Sequence, residues 1–258
     1  MSDLHCGSDV GLMHPEARIG QGNEISFGEN YAQKWLWNCW LGAIKQVSKI
    51  AGEDKFVLLC NGDLIEGIHH GSADVIAADM ANHIEIAIEC VRPLSSMAKH
   101  LLVTLGTECH TKGFEHDLAY SLGAEGGRAK NKWHFSINGV QCDATHHLGA
   151  TSRSYLEASL LSISLGNARL QAYRAGHIPS RVFLRAHRHA GGWYSDGDCL
   201  IAVTGGFQML TRHGFKCVPD AIPRPSVMVL DWRDKPDGAL PSVHNIQFSP
   251  PQPEVLAL

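Results

Sequence analysis

The sequence predicts an α/β fold in which two packed sheets carry helices on their outer faces, all in one domain. Three observations predict it. Short apolar runs alternate with amphipathic helical stretches through the first half of the chain. Hairpin and further strand signals follow in the second half. Clusters of Asp, Glu and His punctuate the pattern, four of them directly after apolar strand-like runs.

Taken in order, residues 11–31 are rich in Gly, Asn and Glu and read as a long loop. QKWLWNCWLGAIKQVSKIAG follows, with Leu36, Trp40, Ala43, Ile44, Val47 and Ile50 at helical spacing and Gly52 as a stop. Trp35, Trp37 and Trp40 read as packing residues. FVLLCN at 56–61 is a continuous apolar run, as expected of a strand covered on both faces. Residues 74–99 read as a helix with Ile76, Met80, Ile84, Ala87, Ile88 and Val91 on one face, kinked or ended by Pro93. LLVTL at 101–105 is a second buried strand, and a helix is expected around 115–123.

WHFSI and VQCDAT flank Asn138-Gly139, the strongest short-range hairpin signal. Residues 154–175 read as a helix, and RVFLRA, CLIAVTG and SVMVLDW as strands. With no internal repeat and no linker between two cores, we expect one domain over residues 1–258, ending in a Pro-rich tail at 249–258.

Composition narrows the class. The chain has 258 residues, 44% apolar and 19% charged, ordinary for a globular protein with a sizeable core. No apolar run spans a bilayer and no signal-like segment opens the chain, so a cytosolic location is expected. The eight cysteines form no C-x-x-C pair and read as reduced, mostly buried thiols. A net charge of −4 gives no basic footprint for non-specific nucleic-acid binding, though bound metal ions would still admit a phosphate-bearing substrate.

The chemistry resides in five polar clusters. They are Asp3-Leu4-His5, Gly62-Asp63-Leu64-Ile65-Glu66-Gly67, Gly106-Thr107-Glu108-Cys109-His110, Thr145-His146-His147 and Ala186-His187-Arg188-His189. Alone, each has an ordinary explanation: Asp63 could cap a turn, and His146 or His147 could be a satisfied core histidine. H-x-H at 187 and 189 is stronger, because alternate strand residues share a face. Ligands of open α/β sheets bind at the carboxyl ends of strands, so five such clusters are expected to converge on one site. Carboxylate mixed with imidazole suits Mn²⁺, Fe or Zn²⁺. A bridging carboxylate would let two ions clamp a phosphoryl group and acidify a water.

With these motifs in this order, the sequence resembles the calcineurin-like metallophosphoesterases, a family that runs D-x-H, G-D-x-x-(D/E), G-N-H-(D/E), a single H after a strand, and G-H-x-H. The resemblance covers about residues 3–206. It implies a four-layer α-β-β-α sandwich of two mixed sheets flanked by helices, with a two-metal site at one edge. It further implies two divalent ions, Mn²⁺ first, with Fe, Zn²⁺ or Ni²⁺ as alternatives.

Asp3, His5 and His189 resemble first-metal ligands, Asp63 the bridging carboxylate, and His146 and His187 second-metal ligands. His147 stays an alternative to His146, because the Pro that often follows two positions after the ligand His is Leu148 here. The third motif departs most, since the family's Asn is absent. Either Thr107 occupies that place, or the segment loops out so that Glu108 is the ligand and His110 the general acid; the second is favoured. His69 and His70 are candidate substrate contacts, Glu66 a support for the turn or a ligand, and Arg153 and Arg212 weaker candidates.

The expected activity is metal-dependent hydrolysis of a phosphodiester or phosphomonoester, with a nucleotide or nucleic acid as substrate. A DNA end-processing nuclease of the Mre11/SbcD kind and a non-enzymatic scaffold are the alternatives. No membrane partner is expected, and the oligomeric state is open. The compact size and long first loop also resemble phosphoesterases encoded by phages and mobile elements. Only Met1 and Ser2 precede the first motif, where the family has a buried strand; a truncated first strand is therefore expected, with a frayed terminus and an unfilled sheet position.

Overall fold

The computed structural model describes residues 1–20, 25–26, 28–68, 74–148 and 157–252. Its elements alternate as expected: a short pair β1 (Arg18–Ile19) and β2 (Ile25–Ser26), α1 (Tyr31–Ala51), β3 (Val57–Asn61), α2 (Met80–Ser95), β4 (His100–Thr104), α3 (Glu108–Thr111) and α4 (Glu115–Ser121). The second half runs β5 (Trp133–Ile137), β6 (Val140–Ala144), α5 (Glu157–Arg174), β7 (Val182–Arg185), β8 (Gly192–Ser195), β9 (Leu200–Val203), α6 (Arg212–Cys217), β10 (Ser226–Asp231) and β11 (Ser242–Gln247).

Helix α1 forms because a capping box closes its first turn, Asn30 and Gln33 each accepting the other's backbone N–H. Its buried stripe of Leu36, Cys39, Trp40, Ala43 and Val47 matches the helical period. Pro93 does not end α2, which runs on to Ser95. The residue whose carbonyl the ring displaces lies within the helix, so one backbone bond is lost without breaking the rod.

The larger sheet is mixed and five-stranded, in the order β5-β6-β7-β9-β8. Its faces alternate as pleating demands. Phe183 and Ile201 point outward and pack with Leu161 and Leu165 of α5. Val140, Cys142, Val182 and Leu200 point inward against Leu230 and Val243 of the β10–β11 hairpin. On the opposite side of the molecule β3 and β4 pair in parallel, Val57 opposite His100 through Asn61 opposite Thr104. Trp133 and Ala144 pack between this pair and the larger sheet. Helices α1 and α2 cover the outer face, where Trp40, Leu58, Cys60 and Val91 join the main core. The layers are thus α-β-β-α, as the sequence predicts.

Four strands were not legible as such: the two-residue β1 and β2, inside the stretch read as a long loop, and β8 and β11, both short on apolar alternation. Six of the eight cysteines are buried and all are free. No helix among the described residues is long and apolar enough to cross a membrane.

The N-terminus is not frayed. Residues 1–3 lie parallel beside β3, with the Met1 amino group donating to the Leu59 carbonyl at 3.0 Å. Asn61 N–H donates to the Met1 carbonyl at 2.8 Å, and Asp3 N–H to the Gly62 carbonyl at 2.9 Å. Phe207 N–H donates to the Asp3 carbonyl from the other side. Asp3 and His5 are thus held between two neighbours, and both are buried.

Candidate metal centre

Every cluster predicted from sequence lies at or just past the carboxyl end of a strand or strand-like segment. Asp3 and His5 lie on the segment beside β3, Asp63 and Glu66 follow β3, Thr107 and His110 follow β4, and His146 follows β6. His187 and His189 follow β7, which ends at Arg185. They are therefore not alternate residues of a strand, as the sequence reading supposed. Both lie in the turn beyond it, and both have left-handed backbone, φ 74° and 54°.

That conformation recurs. Among the described residues seven non-glycine residues have positive φ, and five are Asp3, His5, Asp63, His187 and His189. Such backbone is costly for residues with a Cβ and concentrates where surrounding structure holds a functional side chain. Glycines make room for it. A Cβ on Gly106 would strike the Asp63 carboxylate and backbone nitrogen, and one on Gly62 (φ 79°) would strike the His146 ring.

Three groups of donor atoms result: Asp3, His5 and His189; Asp63, His146 and His187; and His5, Glu66 and His110. In the first, His5 Nε2 lies 3.1 Å from His189 Nε2, and Asp3 Oδ1 lies 3.5 Å from His189 Nε2. In the second, His146 Nε2 lies 3.0 Å from Asp63 Oδ2 and 3.3 Å from His187 Nδ1. The two groups adjoin, with His146 Nε2 4.0 Å from Asp3 Oδ1.

The tautomers are set from behind. His146 Nδ1 is 2.7 Å from the Asn61 carbonyl, which can only accept, so Nδ1 carries the proton and Nε2 faces the site with its lone pair. His5 Nδ1 sits 2.7 Å from Glu66 Oε2, which also accepts from Gln208 Nε2 at 2.8 Å. His110 Nδ1 lies 3.1 Å from the Glu66 carbonyl, and the His110 and His5 rings meet edge to face.

Burial opposes charge on His146 and His5, yet hydrogen bonding and charge from Asp63 and Asp3, and from Glu66 at His5, push each up to about 9. Burial would raise Asp63, but the His146 hydrogen bond and charge, with His5, hold it well below the carboxylate range. Burial depresses His189 to about 4. Asp3 Oδ1 is buried with no hydrogen-bond partner. Without an ion, His146 and His5 keep a second proton against the carboxylates near neutral pH; once that proton leaves, their Nε2 lone pairs, the Asp63 carboxylate and the orphaned Asp3 oxygen form a donor set that a hard or borderline divalent cation satisfies.

The third motif resolves by placement. Thr107 is in the second group: its N–H and Oγ1 donate to Asp63 at 2.6 and 3.0 Å, and Oγ1 is 3.1 Å from His187 Nδ1. Glu108 is exposed at the start of α3 and belongs to no donor group among the described residues. The looped-out alignment therefore does not bring Glu108 to the site, because the α3 turn begins at that residue and rotates its side chain away. It does bring His110. His147 is exposed, against a fully buried His146, though its ring contacts those of His146 and His187. His69, His70 and Arg153 lie outside the described residues. Arg212 pairs with Asp74.

Glu115 and Gln208 went unread. Glu115, fully buried on α4, accepts from Leu64 N–H and Gly106 N–H and so ties the loops after β3 and β4 together. No spacing signal marks either residue, because each reaches the site from a distant segment.

No family model matches this chain, and no curated protein matches it. Solved structures do. An archaeal phosphodiesterase matches at 13% identity and TM-score 0.44, over 81% of this chain and 93% of that one. Zinc-complexed Vps29 from Entamoeba histolytica matches at 13% and 0.42, over 93% and 95%. A conserved protein of Streptococcus pneumoniae described as a predicted phosphoesterase matches at 13% and 0.32, over 80% and 90%. These are likenesses of fold, and they carry no argument about what this chain does.

Proposed function

We propose that the chain is a metal-dependent phosphoesterase whose two adjoining donor groups hold two divalent cations, Mn²⁺ first. One observation carries the reading. Asp3 Oδ1 is buried without a partner, and imidazole nitrogens with lone pairs on offer converge on it from two sides. Asp3, His5 and His189 would hold one ion. Asp63, His146 and His187 would hold the other, with Thr107 Oγ1 beside them.

Two ions so placed would supply Lewis acidity and a water made nucleophilic near neutral pH. The chain's own side chains do the rest. Glu66 and the Asn61 carbonyl orient His5 and His146 so that each Nε2 faces inward. His110, its Nδ1 on the Glu66 carbonyl, gains and loses its proton at Nε2, where it can protonate a departing ester oxygen. Glu115 and Gly106 fix the loops around Asp63. The substrate is a phosphate ester, with nucleotides or nucleic acid foremost.

The test is cleavage of bis-p-nitrophenyl phosphate and p-nitrophenyl phosphate by chelator-stripped protein resupplied with Mn²⁺, Zn²⁺ or Ni²⁺, alongside metal analysis. Uptake near two ions with turnover supports the proposal. Protein that takes up no divalent ion and cleaves neither ester overturns it. His110→Ala should keep its metal and lose most turnover; full activity there would remove His110 from the acid's role alone.

A further inference from the structure

Helix α5 is apolar on two opposite faces. At 3.6 residues per turn Leu161, Leu165 and Ala168 share one side, and they pack on the larger sheet. Ile163 and Leu170 stand on the other side with Tyr173 flanking them, and these three are 59%, 44% and 61% exposed. Ile178, just past the end of the helix, is 82% exposed. A helix on the outer layer of a fold ordinarily turns charged side chains to the solvent. From Ser159 to Tyr173 this one has a single charged residue, Arg169, and that guanidinium is tied to Asp196 at 2.7 Å.

Gly166 lies in the same outward stripe, in mid-helix between Ile163 and Leu170. Glycine inside a helix is unfavourable relative to alanine. The fold itself gives no reason for it, since a Cβ built on Gly166 meets no atom within 4 Å. A bare Cα in the middle of an apolar stripe does allow a second helix to approach closely, because the side chains at the crossing point set the distance between helix axes.

We infer that this stripe is the interface of a two-fold homodimer, in which α5 packs antiparallel on α5 of a second copy and crosses it at Gly166. Two features select a second copy as the occupant. The stripe is self-complementary: a two-fold axis between Gly166 and Asn167 sets Ile163 opposite Leu170 of the second copy, and Leu170 opposite Ile163 of the second copy, as an isologous contact requires. The area also matches. At roughly 200 Å² for a fully exposed large side chain, the exposures of Ile163, Leu170, Tyr173 and Ile178 amount to about 500 Å², or about 1,000 Å² over both copies. Homodimer interfaces are about 65% apolar, so this apolar area implies a total of about 1,500 Å², the size of a standard specific interface. A lipid surface would instead call for a row of Lys and Arg beside the apolar stripe, where this helix has Ser159, Ser162, Asn167 and Gln171.

Sedimentation equilibrium of the full chain in chelator tests this without reference to the metal chemistry. Over about two decades of micromolar concentration it should show a monomer–dimer equilibrium. Leu170→Arg should raise the dissociation constant about thirtyfold or more, by placing a guanidinium at the centre of the seam. Gly166→Gln should weaken the dimer comparably while the monomer melts no lower than the parent, because glutamine is the better helix former. Ile222→Arg, at an exposed apolar residue outside α5, should leave the dimer unchanged. A chain that stays monomeric across the range overturns the inference. So does a dimer that Leu170→Arg or Gly166→Gln leaves intact, or one that Ile222→Arg weakens equally.

Discussion

Replacing Glu66 by Gln tests how the first ligand pair is held. Glu66 is 2% exposed, and its Oε2 takes both the His5 Nδ1–H and the Gln208 amide. Glutamine keeps the shape, and its carbonyl oxygen can accept both bonds, so the geometry survives and the charge does not. A carboxylate behind an imidazole makes it a better ligand, and losing such support costs tenfold to a hundredfold in metal affinity, about 1.4–2.7 kcal/mol. In the metal-free protein the change also acts through protons. Burial opposes charge on His5, but Glu66 first, with Asp63 and Asp3 behind it, raises it from 6.5 to about 9. A raised histidine contributes stability that is complete below 6.5 and lost as pH rises through 9. Glu66→Gln should therefore destabilise the metal-free protein more at pH 6 than at pH 9.5. Calorimetric titration of Mn²⁺ into stripped protein reads the first effect, and denaturant midpoints read the second. Affinity within twofold of the parent would refute the supporting role. A loss beyond a thousandfold would mean that Glu66 is itself a ligand, as its grouping with His5 and His110 permits.

Glu108→Ala should leave Mn²⁺ affinity and turnover unchanged, whereas Thr107→Val should weaken metal binding severalfold by removing the Oγ1–Asp63 bond; the reverse order in titrations would restore the looped-out ligand. Gly106→Ala should cost about 1–3 kcal/mol and the second ion, because the new Cβ meets Asp63, and chemical denaturation with metal analysis reads both. Burial, and then the charge of Asp63, push Glu115 up to about 8 from 4.5, so the metal-free fold loses this contribution as pH rises between those values. Glu115→Gln does not titrate and should flatten the pH dependence of unfolding over that span. An unchanged slope would show that Glu115 is not its source.

The sequence made the layers legible because their signals are local. Helix α1 announces itself by its stripe and its Gly52 stop, the β5–β6 hairpin by Asn138-Gly139, and β3, β4 and β7 by short apolar runs. The convergence of the candidate donors was legible for the same reason: each pair is a contiguous motif beside a strand. Long-range support was not. Glu115 reaches two loops from α4 and Gln208 reaches Glu66 from beyond β9, and nothing next to either residue records that. The side chain of Glu108 was misjudged because its direction depends on where the α3 turn begins. The terminus was misjudged too, since bonds from Leu59, Asn61, Gly62 and Phe207 hold it without a strand of its own.

The left-handed backbone at five candidate donor positions has a consequence for how this chain tolerates change. Glycine adopts that conformation freely, asparagine with little penalty, and alanine at a cost. A library randomised at the half-buried His187 and His189 and screened for folding alone should drift toward glycine, because little packing opposes the relief of backbone strain there. The same library screened for ester cleavage should return the parental letters. The two screens would pull one backbone toward different alphabets, and the distance between them would measure how much foldability the chain surrenders to keep its ligands in place.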